Sequence, residues 1–372
     1  MSNSEELLYR IALPLLEEVG QKRAKDLYIR FGSAKAVFSL NQNDFQQHTH
    51  LGHESIVKLI NSKDKALKRA SEELAFIERH KIEVYFFQED NYPYRLRECV
   101  DAPLLLYGKG NLAFNQGHLL SIVGTRMPTE KGKELCRKTV LDLAAMLNKI
   151  TIVSGLAYGI DVTAHRAALE AGIPTIIIPG HGLDRIYPAV HRKTAVEALE
   201  NGGILTEYMS GTQPDRQNFI ARNRIIAGIS DATLVVESKE KGGSLITADM
   251  AASYSRDVFA FPGRPSDVCS KGCNILIKNQ KAALVESAQD IIMAMQWDAN
   301  KPKEIVQTSM FDDLPPLQAN LIEILKKEEE GLHVNQLVMA LQKPYNEIIA
   351  ELLQMEFAGL VKALPGGIYI SL

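Results

Sequence analysis

The sequence predicts an α/β fold: an extended Rossmann-like domain on a mainly parallel sheet, with an N-terminal helical domain before it (helix-hairpin-helix or SAM-like) and a C-terminal winged helix after it. Three observations carry this. From 119 to about 297, short β-branched apolar runs alternate with helical patterns. Residues 1–80 are helical in pattern and hold no good strand. A polar, proline-bearing stretch at 298–316 then precedes three short amphipathic segments and a Pro-Gly-Gly hairpin signal. The domains expected are therefore 1–80, 81–297 and 317–372, with 298–316 as linker.

In the first segment, Leu13–Leu16, then Val19-Gly20, then Ala24, Leu27 and Phe31 read as helix, glycine turn, helix. Lys22, Arg23 and Lys25 would let such a hairpin sit on a nucleic-acid backbone, while Glu17 and Glu18 beside the turn favour a plain helical cap. A weaker hairpin signal lies at Leu51-Gly52-His53. Ile82–Phe87 and Leu104–Tyr107 are strand-like, with Gly108 and Gly110 read as turn residues after the second.

The central segment is organised around Ser121-Ile-Val-Gly-Thr-Arg126 and its echo Ile152-Val-Ser-Gly-Leu156. Strands are expected at 119–123, 151–154, 175–178, 204–206, 232–236, 257–261 and 283–285. Cys136, Val140, Leu143, Ala144 and Leu147 fall on one face of the helix after the first. Asp161 is placed to cap the helix running to Ala171, which Gly172 and Pro174 end. A strand, a glycine turn and a helix N-terminus aim backbone N–H groups at one spot, and Arg126 adds a planar cation suited to phosphate. Most such turns in α/β proteins are empty, so this loop alone leaves the question open.

Composition narrows the classes. The chain is 46% hydrophobic and 23% charged with net charge −3, so any nucleic-acid surface must be a local patch. No apolar run approaches a membrane span and the start lacks a basic-then-apolar leader, so a cytoplasmic protein without membrane contact is expected. Cys99, Cys136, Cys269 and Cys273 fit a reducing compartment, and the Cys269/Cys273 pair has no second pair to complete a metal site. Neither a Gly-x-Gly-x-x-Gly after the first strand nor a Walker loop is present, which disfavours NAD and P-loop ATP chemistry. No cofactor or metal is expected. A Gly-x-Ser-x-Gly elbow is absent too, and nothing pairs Glu207 or Glu237 with a base.

The expected carboxyl edge of the sheet instead collects Gly124, Thr125, Arg126, Ser154, Gly155, Gly180-His-Gly182, Glu207, the Ser238–Ser244 loop with Lys241, Gly243 and Ser244, and Pro262-Gly-Arg264. Arg216-Gln-Asn218-Phe219-Ile-Ala-Arg222-Asn223-Arg224 joins it on a helix. An aromatic with guanidinium groups nearby is a stacking-plus-phosphate surface of the kind single-stranded nucleic acid uses. The alternative keeps Phe219 in the core and pairs Arg222 or Arg224 with a sheet-edge carboxylate. In the last segment, Leu317–Lys327, Val334–Leu341 and Tyr345–Phe357 read as the helices of a winged helix and Leu360–Ser371 as its wing. Its third helix carries Glu347, Glu351 and Glu356 and no Lys or Arg, so it reads as a protein-contact element rather than a base reader.

Taken together the motifs resemble the DNA-processing protein A (DprA/Smf) family over nearly the full length. The residues that carry this are Tyr92-Pro93, Ile122-Val-Gly-Thr-Arg126, Val153-Ser-Gly-Leu-Ala157, Gly159-Ile-Asp161 and Ala164-His165. Gly182-Leu-Asp184, Tyr187-Pro188, Asn218-Phe219, Arg222-Asn-Arg224, Gly243-Ser-Leu245, Thr247-Ala248 and Pro262-Gly263 continue them in order. The resemblance implies a homodimeric, non-enzymatic protein that binds single-stranded DNA, protects it and loads the RecA recombinase onto it during natural transformation. It implies that Gly124-Thr125-Arg126 hold a phosphate, Phe219 stacks on a base, Arg216 takes a neighbouring phosphate, and Arg222, Lys241 and Ser244 extend the track. Three positions depart from the pattern: Tyr158 replaces a basic residue, His181 a small one, and Gly242 a serine. The competing class is a nucleotide-binding enzyme or sensor resembling the nucleoside-monophosphate phosphoribohydrolases, but Gly242-Gly-Ser-Leu-Ile-Thr-Ala-Asp249 lacks the glutamate of their loop.

Overall fold

The computed structural model describes residues 3–297, 315–326, 331–364 and 366–371, so most of the expected linker lies outside the described residues. The chain forms two compact units, Met1–Asn300 and Lys301–Leu372.

The first unit is built on nine strands: β1 Glu83–Phe86, β2 Leu105–Gly110, β3 His118–Val123, β4 Ile150–Ser154, β5 Thr175–Ile177, β6 Gly202–Thr206, β7 Ala232–Val235, β8 Asp257–Ala260 and β9 Ala283–Leu284. Their spatial order is β1-β2-β6-β5-β4-β3-β7-β8-β9. Every pair from β6 to β9 is parallel; β1–β2 and β2–β6 are antiparallel at one edge. The reason is visible in β4 and β6, whose residues are all buried, because a strand covered by helices on both faces needs apolar side chains in both directions. In β3, Leu120 and Ile122 join the core formed with helices Glu130–Met146 and Ile160–Glu170, while Leu119 and Val123 join the opposite core. Each such side chain contributes about 1.5–3 kcal/mol on burial. Ser121 lies between them and satisfies its hydroxyl on Ile226 O and Ser230 Oγ, both at 2.7 Å.

The N-terminal helices share the second core. Ile11, Leu13, Leu27 and Tyr28 pack in the same cluster as Phe86, Leu104 and Leu119. Lys25 donates to Ala102 O at 2.8 Å and lies over the Phe87 ring, and Arg23 donates to Glu18 O, so of the three cations around the first hairpin only Lys22 is exposed without a partner of this kind.

Two local expectations are corrected. Gly108 and Gly110 do not make a turn; they lie in β2, where a Cβ on Gly110 would come 2.6 Å from Gly202 O of β6 and where φ is +114°. Asp161 is not the cap of its helix either: Gly159 precedes Ile160–Glu170 at φ +80°, and Asp161 sits inside the first turn.

In the second unit, helices Pro316–Leu325, Val334–Leu341 and Tyr345–Phe357 surround a core of Leu321, Leu337, Ile348, Leu352 and Met355. Strands β10 Leu332–His333, β11 Val361–Leu364 and β12 Ile368–Ser371 form an antiparallel sheet in the order β10-β12-β11. This is a winged helix, with β10 as a strand not read from the sequence. Lys327, the end of the expected first helix, and Pro365, in the middle of the expected wing, lie outside the described residues.

Candidate nucleic-acid interface

The chain runs from β3 outward to β6 on one side and then returns to β7 on the other side of β3. That reversal opens a crevice outside the carboxyl ends of β3 and β7, the place where open parallel sheets bind ligands. Gly124-Thr125-Arg126 leaves β3 and the Ser238–Ser244 loop follows β7, and Thr125 N donates to Glu237 O across the gap at 2.8 Å. A Cβ on Gly124 would lie 2.5 Å from Ile160 Cγ1, so glycine is what allows the turn to lie against the next helix.

The first turn of Glu130–Met146 is already filled. Thr129 Oγ1 accepts from Gly132 N at 2.9 Å, and Glu237 accepts from Thr129 N at 2.9 Å and from its hydroxyl at 2.6 Å. The anion expected at this helix N-terminus is therefore supplied by the protein's own carboxylate. Arg126 is exposed at the loop and near Arg222, whose pKa is lowered by burial and, to a lesser extent, by Arg126.

The structure divides the three arginines of helix Arg216–Ile229 by burial. Arg216 is exposed in the first turn, behind Asp215, whose side chain accepts from Gln217 N at 2.7 Å. Arg222 is only 3% exposed; its Nη1 donates to Ile178 O, its Nε has no partner, and its Cζ lies 5.7 Å from the Phe219 ring centroid. A Cβ on Gly155 would overlap this guanidinium, so Gly155 is the floor that makes room for it. Burial pulls Arg222 down to about 10, with buried Asp161 opposing the shift. Burial likewise raises Asp161, with Arg222 opposing, and holds His165 down at about 3. Arg224 pairs with Glu207, both largely buried, and burial raises the Glu207 pKa against the pull of Arg224. The alternative pairing of an arginine with a sheet-edge carboxylate is thus realised at Arg224.

Phe219 itself is half-buried, not core. One edge packs on Gly180, where a Cβ would come within 2.9 Å of its ring, and Tyr187 lies 5.7 Å away, centroid to centroid. Tyr187 is 47% exposed, and the sequence placed it in a motif without giving it a role. Asn218 and Asn223 are half-buried on the same helix. On the β7 side, Lys241 and Gly243 are exposed, whereas Ser244 is buried and donates to Ser238 Oγ at 2.9 Å. Ser154 is buried and donates to Ile122 O at 2.6 Å, so it ties β4 to β3 and presents no hydroxyl outward. His181 is buried as well, with Nδ1 2.8 Å from Gly182 O, whereas Tyr158 is 51% exposed and meets His191 edge-on. The outer surface thus holds Arg126, Arg216, Phe219, Tyr187, Lys241 and Gly243, and the other predicted site residues lie beneath or beside it.

The model of the family described as DNA recombination-mediator protein A matches residues 83–296, and that of the DprA winged helix domain matches 311–367. The chain belongs to the DprA/Smf family. Its relatives include Protein Smf of Synechocystis, 33% identical over 98% of both chains. DNA processing protein DprA of Streptococcus pneumoniae is 42% identical over 56% of this chain and 73% of its own. Among solved structures, DNA processing protein A of Streptococcus pneumoniae is 32% identical at a TM-score of 0.65, covering 79% of this chain and 98% of its own. The Helicobacter pylori DNA processing protein A, solved for its single-stranded DNA binding mode, is 30% identical at a TM-score of 0.53, covering 59% and 97%. The protein is thus a member of a family of DNA-processing recombination mediators. Among the described residues no helix is long and apolar enough to cross a membrane.

Proposed function

We propose that the protein binds single-stranded DNA along the carboxyl edge of its parallel sheet, protects the strand and loads the RecA recombinase onto it. The observation that carries this is the partly exposed Phe219 ring, one turn from exposed Arg216 and on the same edge as exposed Arg126 and Lys241. Stacking accepts any base, while the cations track the backbone. Arg126, presented by the Gly124-Thr125 turn, takes one phosphate and Arg216 another; Lys241 and Gly243 extend the track. Ser154, Gly155, Arg222, Arg224 and Ser244 act from below by fixing the strand ends and the stacking helix, and Asn218 and Asn223 flank the ring.

The single-stranded DNA binding named for the Helicobacter pylori relative supports this reading, and the family's description as a recombination mediator supports a recombinase as partner. The protein works in the cytoplasm as a homodimer, where two shallow sites joined on one assembly hold a strand far more tightly than one. No chemical step is assigned: Glu207 is paired with Arg224 and Glu237 caps Thr129, so both acids of this edge have structural work.

Fluorescence anisotropy with labelled oligothymidine, single- and double-stranded, tests the proposal. Preferential binding of the single strand is expected. Binding of mononucleotides with equal preference, or their cleavage, would overturn it in favour of a nucleotide pocket.

A further inference from the structure

The loop that carries the stacking helix is tethered from outside the sheet. Residues 207–215 connect β6 to helix Arg216–Ile229 and are held from that helix and from the loop around Asp184. Tyr208 Oη donates to Asn218 O at 3.1 Å, Asn218 Nδ2 donates to Gln213 O at 3.2 Å, and Gly211 N donates to Asp184 Oδ1 at 3.0 Å. One set of contacts comes from the N-terminal layer. Glu73, on helix Lys63–His80 of the N-terminal layer, has a side chain only 2% exposed. Its carboxylate accepts from Ser210 N at 2.9 and 3.1 Å, from Ser210 Oγ at 2.5 Å, and from Arg69 Nη2 at 2.8 Å. Arg69 also donates to Ser210 O.

A buried carboxylate is costly unless its lone pairs are filled, and here a backbone N–H, a hydroxyl and a guanidinium fill them. The pair therefore grips Ser210 at both its N–H and its C=O. Met209, next to it, is pinned from the other side, since Met209 O lies against Gly182. Ser210 is six residues before Arg216, with Gly211 at φ +82° next to it, so the loop is held within two turns' length of the helix start.

We propose that Glu73, with Arg69, is a positioning residue for DNA binding: it braces the 207–215 loop so that the Phe219 ring stands preset for the strand. Helix Lys63–His80 then serves the interface through this loop. This inference rests on the reading of the carboxyl edge as the single-strand site. Preorganisation of this kind raises affinity by lowering the ordering cost of binding.

The test is a double-mutant cycle on the full-length chain, read by anisotropy with labelled oligothymidine. Glu73→Gln keeps the size but turns one acceptor oxygen into a donor facing Ser210. It is expected to raise Kd about tenfold in the wild-type background and less than about twofold in a Phe219→Ala background, because the brace acts through the ring. An equal loss in both backgrounds, or no loss in either, overturns the brace. Should Glu73→Gln not fold, Ser210→Ala removes only the hydroxyl donor and runs the same cycle, with about a threefold loss expected that again vanishes beside Phe219→Ala. Binding that responds to Phe219→Ala but not to Glu73→Gln or Ser210→Ala removes the brace alone. Failure of the wild-type protein to bind removes the edge reading and the brace with it.

Discussion

Arg126 and Phe219 are assigned different physical work, and salt separates them. Arg126 is exposed, so Arg126→Ala should leave stability within about 0.5 kcal/mol of wild type. It removes one phosphate contact, and each such contact to a single strand releases condensed counterions with a slope of roughly −0.7 in log K against log salt. The variant's slope should be shallower by about 0.7, so between about 50 and 200 mM salt it loses about 2.6-fold less affinity than wild type. Phe219→Ala removes stacking worth roughly 1–3 kcal/mol, about 5- to 150-fold in Kd, and releases no counterion. Its line should lie below wild type and parallel to it. Anisotropy titrations across this salt range measure both slopes. Equal slopes for Arg126→Ala and wild type, or a shallower slope for Phe219→Ala, would refute the division of roles.

Two further predictions follow from burial and charge. Burial holds His165 at about 3, beside Arg222 and His191, against 6.5 in an unfolded chain. Between these values the unfolded chain binds the proton and the folded chain does not. This contribution is therefore intact above about 6.5 and is lost as pH falls towards 3, a loss of about 2 kcal/mol at pH 5. Urea unfolding at pH 7 and 5 should show His165→Gln losing less stability on acidification than wild type by about that amount; matching losses would contradict the assignment. Deleting residues 317–372 should leave most single-strand affinity intact. The outward face of helix Tyr345–Phe357 presents Asn346, Ala350, Leu353, Gln354 and Phe357, without a cation. A collapse of affinity on deletion would show that this charge argument fails.

Much of the architecture was legible because burial on both faces leaves an unmistakable trace in sequence. β3, β4 and β7 must be apolar at consecutive positions, and the glycine turns after β3 and β4 break those runs at the edge where ligands bind. The winged helix was legible through helical periodicity followed by Pro-Gly-Gly. Gly108 and Gly110 misled because a glycine needed for close strand approach looks the same as one needed for a turn. The helix that carries Phe219 could be placed from the Arg216–Arg224 motif, but the motif by itself left open whether the ring lies at the surface or in the core.

What each arginine does was likewise not legible. Arg126, Arg216, Arg222 and Arg224 are the same side chain, and the tertiary structure leaves the first two in water, buries the third against Gly155 and pairs the fourth with Glu207. Nor does sequence show that Glu237 fills the helix N-terminus beside Thr129, or that Glu73 holds Ser210 from 137 residues away. Local pattern reports what a residue's own strand or helix requires. Whether a charge stays in solvent or is taken out of it depends on which distant segment packs over it, and the folded chain alone decides that.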